Sequence, residues 1–258
     1  MRGCESLPRL VLGSFYNYTY GMVNLKVISL KHLWYVIGLI ATDGNLSKDK
    51  RHINITAKDE AYLIAVRDAL GLEVKIGKKC RGGSKEKNYA FLQFGDVKFY
   101  NYLSEIGLTE RKSLTIGALK VPPEYFSDFL RGVIDGDGSI LSWYHPTNGG
   151  EQWSVKIVSG SDKFVGWLQM QCAMYFGAIG KIHIYPKKNR RNELYVLKFG
   201  KIAAKILLKQ CYYEGCLALE RKLRSAQRCL RSEIGWIKYK TMISPGVGIG
   251  RRSRLKTA

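Results

Sequence analysis

Apolar residues recur along the chain in two alternating rhythms, and the order of those rhythms repeats. Segments at about 33–42 and 124–136 are predicted to be helices, each ending in Asp-Gly (Asp43-Gly44 and Asp137-Gly138). Alternating apolar and polar positions then predict paired strands, 45–47 with 52–56 in the first case and 139–144 with 152–158 in the second. A 3.6-residue spacing, set by Leu63, Val66 and Leu70, predicts a helix over 59–70, and a similar segment covers 162–175. Further hairpins follow at 73–80 with 89–94 and at 179–187 with 193–199, joined by polar, basic turns over 81–86 and 188–191. One or two closing helices finish each half. The order αββαββα, twice, predicts a mixed α/β (α+β) fold with antiparallel hairpins rather than parallel crossovers.

The two halves also match residue by residue. Asp43 and Asp137 lie 94 apart, Phe94-Gly95 matches Phe199-Gly200 at 105, and Glu110-Arg111-Lys112 matches Glu220-Arg221-Lys222 at 110. The order is kept, and loop insertions such as residues 145–150 absorb the growing offset, so the chain reads as a duplication. Pro122-Pro123 blocks helix propagation and marks the junction. The resulting division is an extension over 1–28, a first repeat over 29–118, a linker over 119–123, a second repeat over 124–232 and a basic tail over 233–258.

Strand parity assigns faces. Ile53 and Ile55 take one side while His52, Asn54 and Thr56 take the other; Lys75 and Lys79 oppose Val74 and Ile76, and Gln93 stands apart from Leu92 and Phe94. The same rule exposes Ser154, Lys156, His183, Tyr185 and Lys198 in the second half, and the turns add Arg81, Lys188, Arg190 and Arg191. A sheet with one apolar face and one polar, cationic face suits readout of base edges and phosphates.

Charge turns that pattern into a partner class. With 42 Lys and Arg against 21 Asp and Glu the formal net charge is +21, far beyond what solubility requires, and it points to a nucleic acid. Apolar runs fall well short of a membrane span and the N-terminus has no signal-peptide core, so a non-secreted, non-membrane, intracellular protein (cytoplasmic or organellar) is expected. Six scattered cysteines without a CxxC pair and four isolated histidines give little support to structural zinc or a His-centred site.

The chemistry lies at the two Asp-Gly helix ends. A helix C-terminus carries free carbonyls and partial negative charge, so a carboxylate there is unfavourable unless a hard divalent cation reverses the sign. Two such ends brought together would place metal ions beside two scissile phosphates. Gly38 and Gly132, each five residues before its aspartate, cost about 1 kcal/mol relative to Ala inside a helix, which close packing of the two helices would explain.

VIGLIATDG (36–44) and LRGVIDGDG (130–138) resemble the two signature helices of the LAGLIDADG homing endonucleases, with five and six of nine letters shared. Ala41 replaces the motif's first aspartate, a non-catalytic position that Asp135 retains. The resemblance implies two pseudo-symmetric LAGLIDADG repeats in one monomeric chain, forming a β-saddle over double-stranded DNA. It implies cleavage of both strands of a long, asymmetric target with Mg²⁺, two or three ions being bound. Mn²⁺ is an expected alternative and Ca²⁺ a non-cleaving substitute. By the same resemblance Asp43 and Asp137 are the metal ligands, aided by the carbonyls of Thr42 and Gly136. Lys201, just after the last strand, is a catalytic cation, facing Asp96 in the first half with Lys98 a weaker substitute. The main rival is a maturase on the same fold binding intron RNA; retention of both acids argues for cleavage. A non-cleaving DNA-binding regulator would be expected to have lost them.

Overall fold

A computed structural model describes residues 23, 28–80, 87–147, 149–186 and 192–233. The first half runs α1 (Leu30–Thr42), β1 (Gly44–Leu46), β2 (His52–Ala57), α2 (Glu60–Ala69), β3 (Gly77–Lys79), β4 (Tyr89–Gly95) and α3 (Val97–Glu105). A 3-10 turn (Pro123–Tyr125) leads into the second: α4 (Phe126–Asp137), β5 (Gly138–Tyr144), β6 (Glu151–Ser159), α5 (Asp162–Phe176), β7 (Lys181–Tyr185), β8 (Leu194–Phe199), α6 (Lys201–Cys211) and α7 (Glu220–Arg231). The αββαββα order is therefore present twice. Each half contributes one antiparallel four-stranded sheet, ordered β1-β2-β4-β3 and β5-β6-β8-β7.

α1 and α4 are the centre of the molecule. Residues Leu33–Ala41 are all buried, which explains why α1 is apolar nearly all round, and Phe129–Asp135 of α4 are buried as well, the charged Arg131 and Asp135 among them. Their backbones touch. A Cβ added at Gly38 would lie 2.0 Å from the Phe129 carbonyl oxygen, and one at Gly132 would lie 2.0 Å from the Tyr35 carbonyl oxygen. The cost of the two helix glycines is thus offset by a contact no other residue permits.

One charged pair is buried in this seam. The Arg131 guanidinium donates to the carbonyls of Cys211 and Leu217 and to Asp128, each at 2.8 Å, and lies over the rings of Tyr35 and Tyr213. Asp128 also accepts from the Tyr213 hydroxyl at 2.6 Å. With each of its three nitrogens donating and a carboxylate partner beside it, the guanidinium meets the condition under which a buried charge is tolerated.

The strand faces follow parity with two corrections. Ile53, Ile55, Ala90, Leu92 and Phe94 are buried, while Asn45, Asn54 and Gln93 are register partners on the opposite face. In the second sheet Ser139, Lys156, Lys198 and Lys181 form a row across four strands, flanked by exposed His183 and Tyr185. Ser154 belongs to that face by register but is fully buried, so the expectation that it is exposed fails. Lys198 lies over the Trp143 ring, 5.8 Å from its centre, and the register puts Ser154 between those two large side chains. β3 is also shorter than predicted: Lys75 is exposed but precedes the strand, whereas Lys79 is in it and lies over Phe91. Arg81, Lys188, Arg190 and Arg191 lie outside the described residues.

Candidate active site

The helix ends position the two aspartates. Asp43 terminates α1 and Asp137 is the last residue of α4. The glycine after each is required by the close return of the chain onto the end of its own helix. Gly138 is extended (φ −83°, ψ 164°), and a Cβ there would lie 2.6 Å from the Ile134 carbonyl oxygen. At Gly44 it would lie 2.6 Å from the Ile40 Cα. Strand begins directly at the helix end, so the chain folds back against its own last turn and leaves no room for a side chain. Across the seam, a Cβ at Gly136 would sit 2.0 Å from the Thr42 hydroxyl and 3.5 Å from an Asp43 carboxylate oxygen. The two C-termini are therefore in contact.

Their electrostatics are those of a concentrated negative site. Burial, and then the nearby Asp43 carboxylate, push the Asp137 carboxyl up to about 6. Two buried lysines oppose this. The Lys112 ammonium donates to the Gly44 carbonyl, and burial pulls it down to about 8 against the attraction of Asp137 and Asp43. Lys222 donates to three carbonyls of the last turn of α4, those of Ile134 (which also accepts from the Gly138 amide), Asp135 (2.6 Å) and Gly136 (3.2 Å). It too is pulled down to about 8 by burial.

Asp135 fixes that second lysine. Its buried carboxylate accepts from the hydroxyls of Tyr35 and Tyr212 and from the Leu219 amide, each at 2.7 Å. Leu219 caps α7, so Asp135 ties the start of that helix to α4 and sets where Lys222 falls. Ala41 occupies the matching place in the first half and cannot do this.

Lys201 is not at this site. It opens α6, and its ammonium donates to the Glu151 carbonyl. Glu151 pairs with Tyr144, six residues along β5 from Gly138, which is about 20 Å at strand rise. Residues following the last strand of each half lie at the far end of the hairpin; the matching Asp96 caps α3, accepting from the Phe99 amide. The cations that do reach the aspartates are Lys112 and Lys222, which sequence reading used only as repeat landmarks. Their matched positions in two basic triplets with a shared Glu-Arg-Lys order were the available signal.

The donor set fits a hard divalent cation. Two carboxylates and two helix C-termini, each carrying about half a negative charge, outweigh two ammonium groups. Among the described residues no group of three or more His, Cys, Asp or Glu is suited to hold a metal, so an ion here would draw on carbonyl, water or phosphate oxygens as well.

No family model and no curated protein sequence matches the chain. Solved structures do match in fold. The homing endonuclease I-WcaI, bound to its DNA recognition sequence, is 13% identical with a TM-score of 0.55, covering 90% of this chain and 96% of that one. The LAGLIDADG homing endonuclease I-GzeII, in complex with its DNA target, is 12% identical with a TM-score of 0.51, over 82% and 92%. The chain therefore has the LAGLIDADG fold. The N-terminal LAGLIDADG domain of DUF199/WhiA is also similar, at 13% identity and a TM-score of 0.48, over 86% and 98%.

Proposed function

We propose that the chain is a site-specific DNA endonuclease of the homing type, a monomer that cuts both strands of a long, asymmetric duplex with Mg²⁺. The observation that carries this reading is the pair Asp43 and Asp137, joined at the touching C-termini of α1 and α4 and flanked by the buried ammonium groups of Lys112 and Lys222. The fold shared with two DNA-bound endonucleases supports placing the cationic sheet faces in the major groove.

In this reading Asp43 and Asp137 hold the metal, with the Thr42 and Gly136 carbonyls available as further oxygen donors. When bound, a divalent cation supplies a Lewis acid and a water of lowered pKa. Mn²⁺ suits the same oxygens, and Ca²⁺ binds without supporting the reaction. Lys112 and Lys222 remain largely protonated at neutral pH and oppose negative charge that builds on the scissile phosphate. Asp135 positions Lys222, and the α1–α4 contact holds the two acids in register. Asn54, Gln93, Thr56, Lys79, Lys156, Lys181, His183, Tyr185 and Lys198 face the bases and phosphates, with His52 oriented by Asp49. Because the two faces differ in chemistry, the target is non-palindromic.

Selection from a randomised duplex pool in Ca²⁺, followed by exchange into Mg²⁺, tests the reading. One asymmetric sequence should be enriched and then cut on both strands. A protein that enriches no sequence, or binds one that neither Mg²⁺ nor Mn²⁺ allows it to cut, is not this enzyme.

A second prediction separates the lysines. Lys222→Met should slow single-turnover cleavage by about tenfold to a hundredfold at saturating metal, through loss of a preorganised cation. Lys201→Met, at the far end of the hairpin, should leave that rate unchanged. The reverse ranking in a quenched time course would return the role to Lys201.

A further inference from the structure

α7 carries arginines at 221, 224, 228 and 231, spaced three, four and three residues apart, which places all four on one helix face. All four are exposed. Glu220 is the one acid in the helix, and it pairs with Arg224 at 2.7 Å across an exposed surface, where such a pair contributes little. Arg228 lies over the buried ring of Trp153, 5.6 Å from its centre, and so is held near the far end of the β5–β6 hairpin. Lys205 of α6 ties down the end of α7 by donating to the carbonyls of Leu230 (2.9 Å) and Ser232. The stripe is therefore carried by a helix fixed at both ends, at Lys222 and at Leu230–Ser232.

Its position suggests its partner. The helix starts beside the aspartates, where Lys222 reaches the last turn of α4, and it packs against β5 on its way outward. From Arg221 to Arg231 the axial rise is about 15 Å, the span of about four successive phosphates of one strand. A guanidinium fork matches phosphate geometry better than an ammonium does, and the stripe is arginine throughout. Among the described residues the first half has no equivalent after Lys112: residues 113–122 form no helix and contain Lys120 as their one cation.

We infer that Arg221, Arg224, Arg228 and Arg231 form a phosphate track for the DNA strand leaving the active site on the second-half side, making that half the stronger, sequence-independent anchor. The inference rests on the endonuclease reading above and extends it to a surface outside the sheets.

The test is the salt dependence of duplex binding by the full chain in Ca²⁺, using a mixed-sequence duplex, between about 50 and 200 mM salt. Each lost phosphate contact lowers the slope of log K against log salt by about 0.9, so replacing all four arginines by Gln should reduce it by about 3.6. Replacing all four by Lys should keep the slope. The pairs Arg221→Gln/Arg224→Gln and Arg228→Gln/Arg231→Gln should each remove about half of the effect, which guards against misfolding of the quadruple variant. A Gln series with the wild-type slope overturns the track while leaving the endonuclease reading intact. Loss of affinity for a structured RNA, with duplex binding unchanged, also overturns it. If the wild-type protein binds no duplex at all, both readings fall together.

Discussion

Asp43→Asn and Asp137→Asn are each expected to abolish double-strand cleavage while leaving duplex binding in Ca²⁺ within a few fold of wild type. Asn keeps the shape of the side chain and removes the charge proposed to hold the cation, so a loss of at least about a thousandfold, or about 4 kcal/mol of barrier, is expected in single-turnover rate. In the proposed reading binding is spread over the cationic sheet faces, so it should survive. Stability should move the other way. Asp137 has its folded-state carboxyl raised to about 6, by burial first and Asp43 second, so its ionised form disfavours the folded protein at neutral pH. The sign follows from linkage: a raised carboxyl pKa means the folded state binds a proton more readily than the unfolded state, and stability falls as pH rises through that range. Asn at position 137 removes this cost, which solvent screens because the Asp137 side chain is exposed, and the metal-free variant should unfold at a slightly higher midpoint in a urea melt at pH 7. A variant that cuts normally removes the aspartates from the chemistry. One that loses both cleavage and folding leaves no support for a site strained by like charges.

The second large effect is expected at Gly132→Ala. The added methyl would lie 2.0 Å from the Tyr35 carbonyl oxygen and 2.8 Å from the Leu39 amide nitrogen, both backbone atoms of α1 that cannot rotate away. The helices must separate, at a cost of about 3 kcal/mol. Cleavage should fall even where the protein stays folded, because displacing catalytic groups by about 1 Å can cost about a hundredfold. Gly166, in α5, is the control. Nothing lies within 4 Å of a Cβ there, and Ala should be neutral or stabilise by up to about 1 kcal/mol through helix propensity. Chemical denaturation of the two variants side by side measures the contrast. Equal midpoints would mean that the α1–α4 contact is not what holds the halves together.

The sequence was informative wherever a signal is local or repeated. Strand parity depends only on the two-residue repeat of the backbone, so Asn54, Gln93, Lys156 and Lys198 face where they were expected to. The duplication exposed Asp43 and Asp137, and the two helix glycines announced a close backbone contact because they cost stability for no local gain. The signature motif carried the fold in spite of 12–13% identity to the DNA-bound structures that share it.

What failed depended on which atoms meet through space. Ser154 has the parity of an exposed residue but lies between Trp143 and Lys198, whose cover comes from two other strands. Lys201 follows the last strand in sequence, yet that strand runs away from the helix ends, so it finishes near Glu151 rather than near Asp137. Lys112 and Lys222 lie 69 and 85 residues after their respective aspartates, and only the return of the chain over the seam brings them back. The sequence by itself determined the two acids and the repeat that pairs them, because helix termination and periodicity are properties of neighbouring residues. The tertiary structure alone decided which cations oppose those acids, because Coulomb attraction and burial depend on distance between elements, and that distance is set by packing.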